Sequence, residues 1–467
     1  MRGVERRGPV SAMVAGPTAG GSRADSVRAL QHTLYRTAKA DPGRRFHALS
    51  DKVHRRDVLE RAWVQVRANR GASGVDHTTV AQAEEYGVSL LLDELAAELR
   101  ERTYRSLPLR RVLIQKPGVK GELRPLSIPA VRDRIVQTAT RIVLEPVFEA
   151  DMAECSFGFR PRRSAHDALR VLVDEAARGK RWVVETDIAD CFTAIPFDGL
   201  MRAVEERVCD RGLLRLVREI LRAGVMRDGE VRREVSGVPQ GGPLSPLLCN
   251  VYLHRLDRSW DEGDGTLVRF ADDLVVMCWS QSQAERALEC LTRLLADLGL
   301  EPKAAKTRIV CLQPGGGGFD FLGFHHRLVR SRGDRGRRKV TFLARWPSDK
   351  AMRHARDQIR EITDRSRLLL PPQVIVERLN AFLRGWAGYF RFGHSARRLG
   401  AIRRFAQERL ARFVRARHKR SMGFGWWVLS RSRPVDLGLI GLYGITVSPR
   451  AGKTWREKSN AGGERRR

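Results

Sequence analysis

Residues 267–276 read LVRFADDLVV, two short β-favouring runs on either side of a pair of adjacent aspartates. That pattern dictates strand, tight turn, strand, with Asp272 and Asp273 at the tip facing a groove. Alone, two acidic residues in a turn are an ordinary turn. A second β run, VVETDIADCF at 183–192, ends in Asp187 where a helix can begin. If the two strand ends lie side by side, Asp187 and Asp272 form a carboxylate cluster of hard oxygen ligands suited to Mg²⁺. Repulsion within such a cluster raises carboxylate pKa values unless cations neutralise it. In a two-metal site one ion lowers the pKa of an attacking 3′-hydroxyl, and both brace an in-line displacement at phosphorus.

A third stretch supplies what that site would lack. SGVPQGGPLSPLLCNVYLHRLD, residues 236–257, opens as a Gly/Pro-rich turn and becomes an apolar helical segment. Gly241 and Gly242 permit close backbone approach, so a nucleotide could lie against the loop, and Gln240 offers an amide to its sugar or base. The competing reading is a helix N-terminal loop kept glycine-rich for packing.

Charge narrows the partner. Against 54 acidic residues stand 86 Lys and Arg, a formal charge of +32 over 467 residues. A chain so basic repels itself without an anionic partner, and nucleic acid fits best. Membrane insertion is disfavoured, because no apolar run approaches the ~20 residues that span a bilayer. The first 25 residues carry no hydrophobic signal segment, so the expected location is the cytoplasm. Seven scattered cysteines without a C-x-x-C pair suggest neither a zinc ribbon nor a disulfide framework.

Composition divides the chain into four parts. Residues 1–25 are basic and aperiodic, and expected to be disordered. Residues 26–330 alternate helical patterns with strands such as RRVLIQK, RWVVETDI and LVRFADDLVVMCW, the mixture of an α+β body. Residues 340–430 read as helical, with a basic loop, RSRGDRGRRK, at 330–339 and a basic tail at 431–467. In ARRLGAIRRFAQERLARFVRARHKR, apolar residues recur every three or four positions with most arginines between them, an amphipathic helix with a basic outer face.

These motifs, in order, resemble the palm of reverse transcriptases, specifically group II intron-encoded proteins or maturases: VVETDIADCF, SGVPQGGPLSPLLCNVYL, RFADDLVV, LGLEPKAAKT and FDFLGF. ANRGASGVD, LRPLSIPAVRDRIVQTA and FGFRPRRSAHDAL resemble the family's fingers, and LNAFLRGWAGYFRFG its thumb or maturase-specific region. The resemblance covers residues 28–430 and is greatest to the short bacterial class C members without an endonuclease domain. It implies a right-hand polymerase: fingers and palm of antiparallel sheet with helices, then an α-helical thumb.

The resemblance also implies roles. Asp187, Asp272 and Asp273 become the catalytic carboxylates, and with the Ile188 carbonyl they hold two Mg²⁺ ions. Phe192, five residues beyond Asp187, is the steric gate against a ribose 2′-hydroxyl. Lys116 and Arg124 bind the incoming triphosphate, while Gln240 and Gly241 line the nucleotide. Lys306, with Lys303 nearby as a competitor, falls where a proton donor to departing pyrophosphate is expected. Arg403, Arg404 and Arg412 are expected on an RNA-binding face. Trp386, Tyr389 and Phe390 either stack on bases or pack a helix, and their spacing favours packing. One departure is Phe270 where the family commonly has Tyr before Ala-Asp-Asp, which removes a hydroxyl and keeps the ring.

The implied function is RNA-directed DNA polymerase of a group II intron, a bacterial retroelement protein. It would copy intron RNA by target-primed synthesis from dNTPs on target DNA, assist splicing, and associate with the nucleoid when on DNA. The alternatives are a domesticated reverse transcriptase in phage defence, CRISPR adaptation or DNA repair, and a splicing-only maturase. With no His or Cys after Val428 to build a metal nuclease, second-strand cleavage is not expected, and the basic tail would serve as a DNA clamp.

Overall fold

The computed structural model describes residues 23–115, 121, 123–227, 230–232, 237–331 and 340–448. Its strands begin with β1 (Leu109–Gln115), β2 (Leu123–Ile128), β3 (Trp182–Asp187), β4 (Val225–Arg227) and β5 (Glu230–Arg232). They continue with β6 (Thr266–Phe270), β7 (Asp273–Cys278), β8 (Arg308–Cys311), β9 (Gly318–Phe321), β10 (Phe324–Arg330) and β11 (Thr341–Pro347). Helices fill the intervals, starting with Arg23–Ala40 and ending with Met422–Arg431. The expected α+β body and helical thumb are both present.

Among the described residues three sheets form, ordered β2-β1-β4-β5, β6-β7-β3-β8 and β11-β10-β9. The first, in the fingers, joins an antiparallel hairpin to a parallel β1·β4 pair. The second is the palm, antiparallel throughout. The third leads into the thumb helices Asp349–Ile362, Pro372–Phe390 and Ala396–Arg417.

The near-continuous apolar runs of β3, β6 and β7 follow from burial on both faces of the palm sheet, because alternate side chains point to opposite sides. Val184, Leu267, Leu274 and Val276 enter one apolar core with the fingers helices and Val131–Glu149. Val183, Val268, Val275 and Met277 enter the other, with Ala165–Arg178, β9 to β11 and the thumb helices. The compositional division at 330–340 therefore falls inside one continuous core.

Of the expected basic tail at 431–467, the described part packs on the thumb. Leu439 and Leu442 are buried in the thumb core, and the Asp436 carboxylate accepts hydrogen bonds from Arg403 (2.7 Å) and Gln407 (2.8 Å). Residues 1–22, 332–339 and 449–467, which hold the rest of the expected basic segments, lie outside the described residues.

Candidate active site

The β6–β7 hairpin closes with Phe270 opposite Asp273, leaving Ala271 and Asp272 as a two-residue turn. Ala271 takes φ +57°, a left-handed conformation that such turns usually assign to Gly or Asn. On the other side β7 pairs with β3, and the register places Asp187 opposite Asp273. The Ile188 N–H donates to the Asp272 carbonyl at 3.1 Å, and the Lys303 N–H to the Asp187 carbonyl at 2.7 Å. Backbone pairing thus brings together the three carboxylates that two separate motifs supplied.

Their electrostatics are those of like charges in a half-dry site. Burial pushes the Asp272 carboxyl above the usual carboxylate range, reinforced by the Asp187 charge. Asp273 is raised further, by burial and then by Asp187 and Asp272. The Lys306 ammonium forms an ion pair with the buried Asp187 carboxylate. Burial alone would lower the pKa of this lysine, but the Asp187 hydrogen bond and the three carboxylate charges outweigh it and hold the group above its ordinary value. Lys303 contributes its backbone, so of the two lysines it is Lys306 that meets the carboxylates.

Among the described residues no group of three or more His, Cys, Asp and Glu side chains is arranged to hold a metal ion by itself. The donor set fits a hard cation: carboxylate oxygens whose mutual repulsion is only partly relieved, by Lys306 and, at Asp272, by Arg124.

Opposite this cluster the expected nucleotide residues meet one another. Phe192, half-buried on the short helix Cys191–Ala194, accepts the Val238 N–H at its carbonyl, and Ile195 accepts that of Gly237 at 2.9 Å. The loop then reaches β2. The Ser127 N–H donates to the Gln240 carbonyl at 2.8 Å, and Arg124 Nε donates to Gln240 Oε1 at 2.9 Å. At Gly241, φ +127°, a Cβ would sit 2.5 Å from the Ser127 carbonyl oxygen, so the glycine admits close approach of the fingers strand. Lys116 lies outside the described residues.

The thumb arginines separate. Arg404 and Arg412 are exposed. Arg403 is not, correcting its expected place on the RNA face: it is buried, paired with Asp436 and donating to the Ile440 carbonyl at 3.0 Å. The signal lay in its spacing, since Arg403 follows Leu399 by four and precedes Ala406 by three, on the buried stripe. Trp386 and Phe390 are buried against each other with ring centroids 4.9 Å apart, and the half-buried Tyr389 donates its hydroxyl to the Leu322 carbonyl at 2.9 Å. Packing, the favoured reading, accounts for all three. Sequence reasoning passed over Phe159, 56% exposed at φ +55°, with its ring 6.4 Å from that of Phe270. A phenylalanine between Gly158 and Arg160 in a fingers motif was the available sign.

Residues 114–326 match the family model for reverse transcriptase (RNA-dependent DNA polymerase), and residues 352–432 that for the group II intron maturase-specific domain. Protein YkfC of Escherichia coli K12 is 34% identical, over 70% of this chain and 94% of its own length. Group II intron-encoded protein LtrA of Lactococcus lactis is 37% identical over 44% of this chain, and a mitochondrial nuclear intron maturase 4 of Arabidopsis thaliana 27% identical over 51%. The chain spans about a third of the length of these two, 33% and 29%. With an acidic palm hairpin set against β3 and a helical region that matches the maturase domain, the chain belongs to the group II intron-encoded reverse transcriptase and maturase family, RNA-directed DNA polymerases that use divalent metal ions and act on intron RNA.

Proposed function

We propose that this protein copies its group II intron RNA into DNA by target-primed reverse transcription, extending a 3′-hydroxyl of target DNA with dNTPs, and that it also assists splicing of that intron. The observation that carries this reading is the pairing of Asp187 with Asp273 beside the Asp272 turn. Asp187, Asp272, Asp273 and the Ile188 carbonyl would hold two Mg²⁺ ions. When bound, such ions lower the pKa of the attacking hydroxyl and stabilise charge at phosphorus.

The chain's own groups do the rest. Lys306 offsets the Asp187 charge before the ions arrive and then becomes available to the departing pyrophosphate. Arg124 contributes a cationic fork to the triphosphate and Gln240 its amide to the nucleotide, while Phe192 limits the space at the sugar 2′ position. Arg404 and Arg412 present positive charge to RNA. No described helix is long and apolar enough to cross a membrane. The proposed setting is the bacterial cytoplasm, with nucleoid association during insertion.

Purified protein with intron RNA, an annealed primer and Mg²⁺ tests this. Expected are full-length complementary DNA from the natural protein, none from Asp272→Ala, and little change in RNA affinity or splicing, because that carboxylate acts in the chemical step. Extension by Asp272→Ala near the natural rate would overturn the assignment.

A further inference from the structure

Arg269, one of the bulkiest fully buried side chains, lies directly beneath the catalytic turn. All five guanidinium donor positions are engaged. Nε donates to Asp257 Oδ1 at 2.7 Å, and Nη2 to the other Asp257 oxygen and to Ser156 Oγ at 2.8 Å. Nη1 donates to Asn250 Oδ1 at 3.0 Å and to the Ala271 carbonyl at 3.1 Å.

That last acceptor belongs to the turn residue at φ +57°, a conformation costly for a residue other than Gly. The turn is also met by Gly158, where a Cβ would come within 2.5 Å of the Ala271 nitrogen. Gly158 is itself held, its carbonyl accepting from Asn250 Nδ2 at 2.7 Å. Asn250 and Asp257 both sit on the helix Ser245–Ser259, which begins three residues after Gly242. One rigid element therefore carries the Gln240 loop at its start and the grip on the Asp272 turn in its body. A buried ion pair is weak support for stability, since apolar side chains of similar volume serve as well or better. A fork that ends on one strained carbonyl supplies orientation instead.

We propose that Arg269 is a positioning residue for DNA synthesis: clamped by Asp257 and Asn250, it fixes the Ala271–Asp272 turn and so sets the Asp272 carboxylate relative to the nucleotide loop. This rests on the reading of Asp272 as a catalytic ligand. Displacing a reacting group by an ångström or less costs on the order of 100-fold in rate. Lysine at 269 keeps the charge but cannot span Asp257, Asn250 and the Ala271 carbonyl together.

The test compares Arg269→Lys and Asn250→Ala with Lys180→Met, which breaks the buried Lys180–Glu175 pair that meets the far end of β6 through Thr266. Tm is measured for each variant, and three quantities are read below every melting temperature: primer-template Kd, the maximal extension rate, and Mn²⁺ affinity of a stalled complex with a dideoxy-terminated primer and dNTP, by electron paramagnetic resonance. Arg269→Lys should lose on the order of 100-fold in rate and several-fold in Mn²⁺ affinity, with primer-template Kd within about twofold. Asn250→Ala should lose less in the same direction, and it carries the test alone if Arg269→Lys does not fold. Lys180→Met should lower Tm and leave rate and Mn²⁺ affinity within about threefold. The proposal is overturned if the clamp variants keep natural rate and metal affinity, or if Lys180→Met loses as much rate at equal loss of Tm. Normal extension by Asp272→Asn, run in parallel, would instead bring down the catalytic reading beneath it.

Discussion

Arg124 donates its Nε–H to the side-chain oxygen of Gln240 at 2.9 Å, joining a fingers strand to a palm loop 116 residues away. The contact uses one guanidinium donor and one amide acceptor, leaving further Arg124 N–H groups and the Gln240 NH₂ to meet a nucleotide. Two residues expected to touch the same ligand thus orient each other first.

Arg124→Ala and Gln240→Ala should each raise the KM for dNTP several-fold, and the double variant should fall short of their product. Because Arg124 is exposed, the coupling should be modest, about 0.5–1.5 kcal/mol. Full additivity in steady-state extension would mean that the contact has no part in binding.

Phe192→Ala should admit ribonucleotides. A ring that fills the space of a 2′-hydroxyl excludes it sterically, so relative rNTP incorporation should rise by about an order of magnitude or more. An unchanged dNTP to rNTP ratio in competition assays would remove Phe192 from that role.

The thumb arginines should divide by burial. Glutamate at Arg404 and Arg412 should flatten the dependence of RNA affinity on salt, because fewer counterions are released, while leaving Tm nearly unchanged. Arg403→Ala should do the reverse. It leaves the buried Asp436 without its counter-charge and should cost about 3–5 kcal/mol of stability, read by denaturant unfolding. If Arg403→Ala is as stable as the natural protein and weakens RNA binding instead, its assignment to the core is wrong.

Asp133 should make fingers stability depend on pH. It is fully buried, accepting from the Tyr104 hydroxyl at 2.6 Å and the Leu107 N–H at 3.0 Å, and burial pushes its carboxyl up to about 6. With the folded value above the unfolded one, its favourable contribution is complete below about pH 4 and is lost as pH rises through about 6, on the order of 3 kcal/mol in all. Asn at this position cannot titrate. The stability of Asp133→Asn relative to the natural protein should therefore improve between pH 4 and pH 7, and parallel curves would contradict this.

The palm was legible in the sequence because its determinants are local. Short apolar runs on either side of an Ala-Asp-Asp turn specify a hairpin wherever it docks, and ordered motifs identify the family around it. Helical spacing marked the thumb and the packing of Trp386 and Phe390. The same spacing, followed closely, places Arg403 on the buried stripe, although a count of basic residues put it outside.

Only the tertiary structure decided which distant groups meet. The Asp187–Asp273 register, the choice of Lys306 over Lys303, the approach of Ser127 to Gly241 and the burial of Asp436 all depend on segments 29 to 119 residues apart coming into contact. Side-chain type states what a residue can do, whereas partner and dielectric are set by packing. An arginine on β6 reads in sequence like any of the other basic residues. Its burial beneath a strained turn, with every donor engaged, exists only once helix, strand and loop have closed around it.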